Sequence, residues 1–255
     1  METLRAADVV LAEDTRSARK LLLGHGIERR TQSCFDANEP ERAEEAVAWL
    51  RSGQNVALVS EAGTPAVSDP GYRVVRAAIA AGARVVPVPG PSAVLAALVA
   101  SGLPTDSFFF AGFPPRKSGA RRSLFARLLT LPATLVFYES PHRVSATLAE
   151  LAAVLGPERP ACLARELTKV HEEIVRGSLG ELARRYQAER PLGEVTLVVG
   201  GADPQAGGDD EDALCEHARA LLASGMSARD AADTLAAESQ RPRRELYQLV
   251  LALRK

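Results

Sequence analysis

The chain has 255 residues, enough for one or two hydrophobic cores. Hydrophobic residues make up 46%, charged residues 25%, and the net charge is −1, so no basic surface runs over the whole molecule and any nucleic-acid contact must be local. Cys34, Cys162 and Cys215 lie too far apart for zinc or redox spacing, no apolar run reaches about 18 residues, and the N-terminus has no leader pattern; these features point to a metal-free cytoplasmic protein with reduced thiols.

In chain order, Ala7–Ala12 reads as a buried strand, and Asp14 or Thr15 caps a helix running to Gly24. Gln32–Phe35 is a weaker strand. Pro40 sits in the first turn of a helix that ends near Gly53. The apolar run Val56–Val59 then leads into Ser60–Gly71, SEAGTPAVSDPG, a segment with almost nothing to bury. Gly63 permits close backbone approach, Pro65 and Pro70 stiffen the path, and Thr64, Ser68 and free amides can bond a polar ligand. The alternative is a Pro/Gly turn with no ligand. Next come a helix over residues 71–81, a strand Arg84–Val88, the breaker PGPSA, an apolar helix Ser92–Ala100 and a strand Ser107–Phe110. This alternation predicts a parallel sheet covered by helices.

Residues 114–119 read as a linker. Beyond it come a helix Ala120–Leu131, a strand Thr134–Tyr138, the polar loop ESPHR, and a helix Val144–Leu155. Strands Ala161–Arg165, Ile174–Arg176 and Val195–Val199, with a helix over 179–189, complete an α+β region. Gly200–Asp212 reads as a mobile Gly/Pro/acidic linker, and the remainder as two or three amphipathic helices with Leu246, Leu249, Val250 and Leu253 on one face. The domains expected are 1–113, 120–201 and 211–255.

Four strand-end loops carry the polar residues: AEDTR, the Ser60–Gly71 loop, PGPSA and FYESPHR. No Walker A and no GxGxxG is present, so the common nucleotide fingerprints are absent. Together with FFFAGFPPRK and ARELTKVHEE, these motifs, in this order and spacing, resemble the bacterial 16S ribosomal RNA cytidine 2′-O-methyltransferases. That family belongs to the tetrapyrrole-methylase-like (class III) methyltransferases. The resemblance runs from about residue 3 to about residue 200, and the C-terminal helices look like the family's small tail domain.

The resemblance implies an α/β fold of two domains, a parallel-sheet N-domain and an α+β C-domain. It implies S-adenosyl-L-methionine folded in the cleft between them, a homodimer, and a cytidine ribose of 16S rRNA in the small ribosomal subunit as acceptor. Family members begin with a strand and a loop resembling ATPIGNLGDIT, whereas this sequence starts at METLRAADVV and matches the family only beyond that loop. The expectation is a true start further upstream.

By the same resemblance, Gly63, Thr64, Pro65, Val67 and Ser68 border the cofactor, with Ser92, Ala93 and Tyr138. For Ser92 the alternative is an ordinary helix cap. Glu139 is the first candidate for orienting the ribose or taking its proton, and His142 the second, since histidine titrates near neutrality; either could instead cap the next helix. Lys169 could lower the hydroxyl's pKa or, like Arg165, hold RNA phosphate; the alternative is a solvated hairpin or dimer surface. Arg116, Lys117, Arg121, Arg122 and Arg127 form a local basic run suited to RNA, and Arg16 and Arg19 could extend it; a solvated helix face is the alternative. Arg241, Arg243 and Arg244 give the tail a weak RNA-docking signal. Two other functions remain open: methylation of a tetrapyrrole-like molecule, and an inactive RNA-binding remnant lacking the first strand.

Overall fold

The computed structural model describes residues 1–203, 206–223, 226–239 and 242–253. Two compact units result, one of Met1–Ala126 with Thr134–Gly200, the other of Arg127–Ala133 with Gly201–Lys255.

The first unit holds two sheets. One is parallel and three-stranded, in the order β2 (Arg30–Ser33), β1 (Val9–Ala12), β3 (Val56–Val59). All four residues of β1 are at most 2% exposed, as a central parallel strand covered on both faces requires. Its side chains alternate. Val9 and Leu11 pack with Ala43, Ala46 and Val74 of helices α3 (Glu39–Arg51) and α4 (Tyr72–Ala80). Val10 packs with Leu22 of α2 (Thr15–Gly24) and with Ile27. Asp14 caps α2 by accepting the Arg16 amide at 2.7 Å. A short helix, α1 (Glu2–Ala6), precedes β1 where the sequence suggested none.

The second sheet has five strands in the order β4 (Phe108–Phe110), β5 (Thr134–Glu139), β8 (Val195–Val199), β6 (Pro160–Arg165), β7 (Glu173–Ser178). Only β4 and β5 run parallel; the other pairings are antiparallel. Helix α5 (Ala93–Ser101) lays Val94, Ala97 and Leu98 against Val136, Cys162, Ala164 and Val198 of this sheet. Helix α6 (Ser118–Leu128) brings Phe125 edge-on to Phe137, ring centres 5.8 Å apart. Helix α7 (Val144–Leu155) buries Leu148, Leu151 and Leu155, and α8 (Leu179–Ala188) starts at a Ser178–Glu181 capping box. In the second unit, α9 (Ala206–Ala223), α10 (Ala228–Ser239) and α11 (Arg243–Leu253) close around Leu214, Ala218, Leu235, Leu246 and Val250. Arg243 is ion-paired with Asp233, Arg244 is exposed, and Arg241 lies outside the described residues.

The structure corrects three expectations from sequence. Arg84–Val88 forms no strand: none of the described strands offers it a ladder, and Val85, Val86 and Val88 are 44%, 60% and 64% exposed. Phe108–Phe110 joins the second sheet rather than the first, because its ladder partner is Thr134–Val136. Residues 206–212, read as linker, belong to α9.

Arg121 is a further correction, since it is 6% exposed and faces inward rather than toward RNA. Its Nε and Nη2 donate to the two carboxylate oxygens of Glu150 on α7 at 2.8 Å each, and the Ser118 hydroxyl adds a 2.7 Å bond. Burial pushes the Glu150 carboxyl up. The Arg121 and Ser118 hydrogen bonds and the charges of Arg121 and Arg122 outweigh it, so the carboxyl ends below its ordinary value. The stabilisation is therefore present above the unfolded carboxyl value and is lost as pH falls through the lowered folded one. Arg121→Ala should cost about 3–5 kcal/mol by leaving a buried carboxylate unpaired. The paired Arg121→Met/Glu150→Leu change should restore most of that in urea unfolding and reduce acid sensitivity.

Candidate functional site

Within the first unit, five chain segments converge on a cavity of about 340 Å³. The Ser60–Gly71 loop supplies Gly63, Thr64, Val67, Ser68 and Asp69. The start of α5 supplies Ala93, and the β4–α6 connection supplies Phe113. The end of β5 brings Tyr138 to Pro141, and Gly193–Thr196 enters at the start of β8. The size is that of a small-molecule site.

The loop keeps its shape with few buried side chains. Gly63 has φ +71°, and Ala66 and Ser68 also occupy the left-handed region at +66° and +63°. For non-glycine residues that conformation costs on the order of 1–3 kcal/mol and persists only where neighbours hold it. The Thr64 hydroxyl donates to the Pro91 carbonyl at 2.9 Å, tying this loop to the turn before α5. Val67 donates its amide to the Thr64 carbonyl at 3.2 Å, and Ala66 to that of Pro70 at 3.3 Å. A Cβ added at Gly63 would meet no atom within 4 Å, because it would stand in open space at the cavity wall.

Tyr138 forms much of the apolar floor. Its ring lies 4.9 Å from Phe110 and 5.5 Å from Phe113, centre to centre. Burial pushes the phenol pKa up, so the group stays neutral. Two carboxylates give the lining a negative side. Burial pushes the Asp69 carboxyl up; the Ser60 hydroxyl opposes this, while the charges of Glu194 and Glu61 add to it.

The residues singled out from sequence divide by position. Gly63, Thr64, Val67, Ser68, Ala93 and Tyr138 border the cavity; Pro65 and Ser92 are absent from its lining. Ser92 acts as the cap of α5, its hydroxyl accepting the Leu95 amide at 3.4 Å. Glu139 reaches the cavity wall, but its carboxylate points away into the core with no exposed side-chain surface. It accepts from the Ser140 amide at 2.7 Å and the Thr147 hydroxyl at 2.6 Å, with Arg143 at 3.2 Å. A carboxylate so engaged braces the start of α7, and the reading of Glu139 as proton acceptor is corrected on that ground. His142 is exposed and outside the lining.

Lys169 stands beside the cavity rather than in it. Its ammonium lies 2.9 Å from Glu166 and 3.1 Å from Glu194, and the bonds to these two carboxylates hold its pKa above the ordinary lysine value. One cation shared between two carboxylates leaves that cluster net negative, and the raised pKa keeps Lys169 from acting as a base. Arg165 is paired with Glu173 at 2.6 Å. Arg19 bonds the Thr31 hydroxyl at 2.7 Å, and Arg16 is exposed with Asp14 3.6 Å away. Arg116, Lys117 and Arg122 remain at the surface. Sequence reasoning did not single out Phe113, Asp69, Glu194 or Thr196. Asp69 and Phe113 lie inside quoted motifs, whereas the Gly193–Thr196 segment has no local signal and reaches the site through strand pairing.

A family model described as Tetrapyrrole (Corrin/Porphyrin) Methylases matches residues 1–183, and one described as RsmI C-terminal HTH domain matches residues 208–254. Curated relatives carry the name ribosomal RNA small subunit methyltransferase I. That of Mesorhizobium japonicum is 48% identical over 255 residues, covering 100% of this chain and 86% of the relative. That of Synechocystis is 44% identical, with 99% and 91% covered, and that of Escherichia coli O157:H7 is 45% identical, with 93% and 83% covered. Among solved structures, the methyltransferase CobJ superposes with a TM-score of 0.59 at 21% identity, covering 79% of this chain and 86% of that one. A Thermus thermophilus uroporphyrin-III-C-methyltransferase gives 0.54 at 24% identity, covering 78% and 84%. At those identities the structures bear on fold alone. The family models, the matched relatives and the superposed structures agree: the chain has the tetrapyrrole-methylase fold and belongs to the ribosomal RNA small subunit methyltransferase I family.

Proposed function

We propose that the chain methylates the 2′-hydroxyl of a cytidine in 16S rRNA of the small ribosomal subunit, using S-adenosylmethionine, as a cytoplasmic homodimer. The observation that carries this reading is the cavity, built from the same loops that match the family, in a chain 44–48% identical over at least 99% of its length to relatives named as small-subunit rRNA methyltransferases.

The residues present suit such a donor. Flat aromatic surface from Phe113 and Tyr138 suits a purine, and Thr64 and Ser68 can bond ribose or amino-acid groups. At the α5 N-terminus the Ala93 amide, on the cavity lining, can bond a carboxylate. Asp69 and Glu194 complement a cation. S-adenosylmethionine supplies a methyl group activated on a sulfonium. The chain's part is to hold donor and acceptor in line and keep water out, which alone lowers the barrier substantially. The exposed cations Arg116, Lys117 and Arg122 suit phosphate contacts of a ribosomal acceptor. The family model over residues 1–183 carries the tetrapyrrole name, whereas relatives 44–48% identical over at least 99% of the chain are named for ribosomal RNA, and that favours the RNA acceptor.

Calorimetry with S-adenosylmethionine and methyl transfer to unmodified small subunits test the reading. Digestion of the labelled RNA should release 2′-O-methylcytidine, and transfer to a porphyrinoid instead would overturn it. No cofactor binding at all would favour the inactive RNA-binding remnant. Gly63→Val should abolish cofactor binding, since the added side chain occupies the cavity wall from a strained backbone; unchanged affinity would remove this loop from the site. Reversing Arg116, Lys117 and Arg122 to Glu should weaken RNA binding and flatten its salt dependence without altering cofactor affinity. Lys169→Gln should leave the shape of the pH–rate profile unchanged between about pH 6 and about pH 9, because the raised pKa keeps Lys169 charged across that range.

A further inference from the structure

The far end of the Ser60–Gly71 loop is held by a residue outside every motif that lines the cavity. Gly71 is the N-cap of α4; its φ is +134°, and an added Cβ would fall 2.5 Å from Leu58 Cδ2. The position must therefore be glycine, and glycine brings no side chain to satisfy the first amides of the helix. Glu39 supplies the missing acceptor from 32 residues earlier. It is 6% exposed, and its Oε1 accepts the Gly71 amide at 2.9 Å and the Arg73 amide at 2.7 Å. The Arg73 guanidinium lies 3.9 Å from the other oxygen.

Glu39 is also in the first turn of its own helix, α3. One buried carboxylate thus faces the N-termini of two packed helices, where each backbone dipole favours a negative charge. Charge-assisted bonds to backbone amides are the stronger kind. The loop leaves β3 covalently fixed, is tied in its middle by Thr64 to Pro91, and is fixed at its end by Glu39. Between the last two ties lie Ala66 and Ser68, the residues whose left-handed backbone needs external support.

We infer that Glu39 is a positioning residue for the cavity. It holds residues 63–69 in their ligand-ready conformation without touching the ligand. The inference rests on the reading that the cavity takes S-adenosylmethionine, but it makes a prediction for the free protein as well.

The experiment compares wild type, Glu39→Ala and Glu39→Gln by amide hydrogen exchange, thermal unfolding and S-adenosylmethionine calorimetry. Glu39→Ala should speed exchange across 62–73 while β1 and β5 keep their protection, and should weaken cofactor affinity about tenfold, the size expected for losing a charged cap. Glu39→Gln keeps a carbonyl acceptor and should fall between the two. A lower melting temperature with unchanged exchange in 62–73 and unchanged affinity of the folded protein would make Glu39 a structural brace only and overturn the proposal. If Glu39→Ala fails to fold, Glu39→Gln decides by the same two readouts. If wild type binds no S-adenosylmethionine, the cofactor reading fails, and the exchange comparison alone decides the role of Glu39.

Discussion

A cavity wall made from backbone has to be held by hydrogen bonds, because it buries too little apolar surface to hold itself. That constraint shapes the first unit. The Ser60–Gly71 loop passes through two left-handed non-glycine residues and exposes most of its side chains. Its conformation is set from outside, by the Thr64 tie to the turn before α5 and by the Glu39 carboxylate at the start of α4. The opposite wall is built in the other way. Tyr138 lies against Phe110 and Phe113. One wall is polar and tied, the other apolar and packed, which suits a ligand with both kinds of surface.

Several charged pairs in this molecule serve structure. Glu139 holds the turn into α7, Arg121 and Glu150 clamp α6 to α7, and Arg165 binds Glu173. Lys169 joins Glu166 to Glu194 and so links the β6–β7 turn to the segment entering β8. At the cavity lining stand Asp69 and Glu194, the latter bonded to Lys169, and the basic run Arg116, Lys117 and Arg122 lies exposed outside it. A net charge near zero hides this arrangement, because it sums all groups alike.

Most elements were legible in the sequence because their signals are local. Val56–Val59 and Val144–Leu155 were placed to the residue, the first by its apolar run between breakers, the second by helical periodicity ending at Gly156. The failures concern what lies across space. Arg84–Val88 has the composition of a strand, but a strand exists only where another offers its edge. Phe108–Phe110 comes after the first-half elements in sequence and pairs with Thr134–Val136 in the second sheet. At the site, the glycine and threonine of GTP could be read as ligand-facing from loop chemistry. The direction of the Glu139 carboxylate could not, since a strand-end acid serves equally as a brace or a base until Thr147 and Arg143 are seen around it. Arg121 and Arg122 are adjacent and identical in type; only the position of α7 decides that one is buried and the other exposed.

The same reasoning explains why the loop carries glycine where it does. At Gly63 an added Cβ would meet nothing, so the demand comes from the left-handed backbone itself. At Gly71 a side chain would strike Leu58, so the demand comes from packing beneath the loop. Meeting the second demand removes the helix's natural cap and creates the need for Glu39. A packing requirement at one end of the loop is thereby converted into an electrostatic tie, and that tie sets the backbone on which the cavity is built.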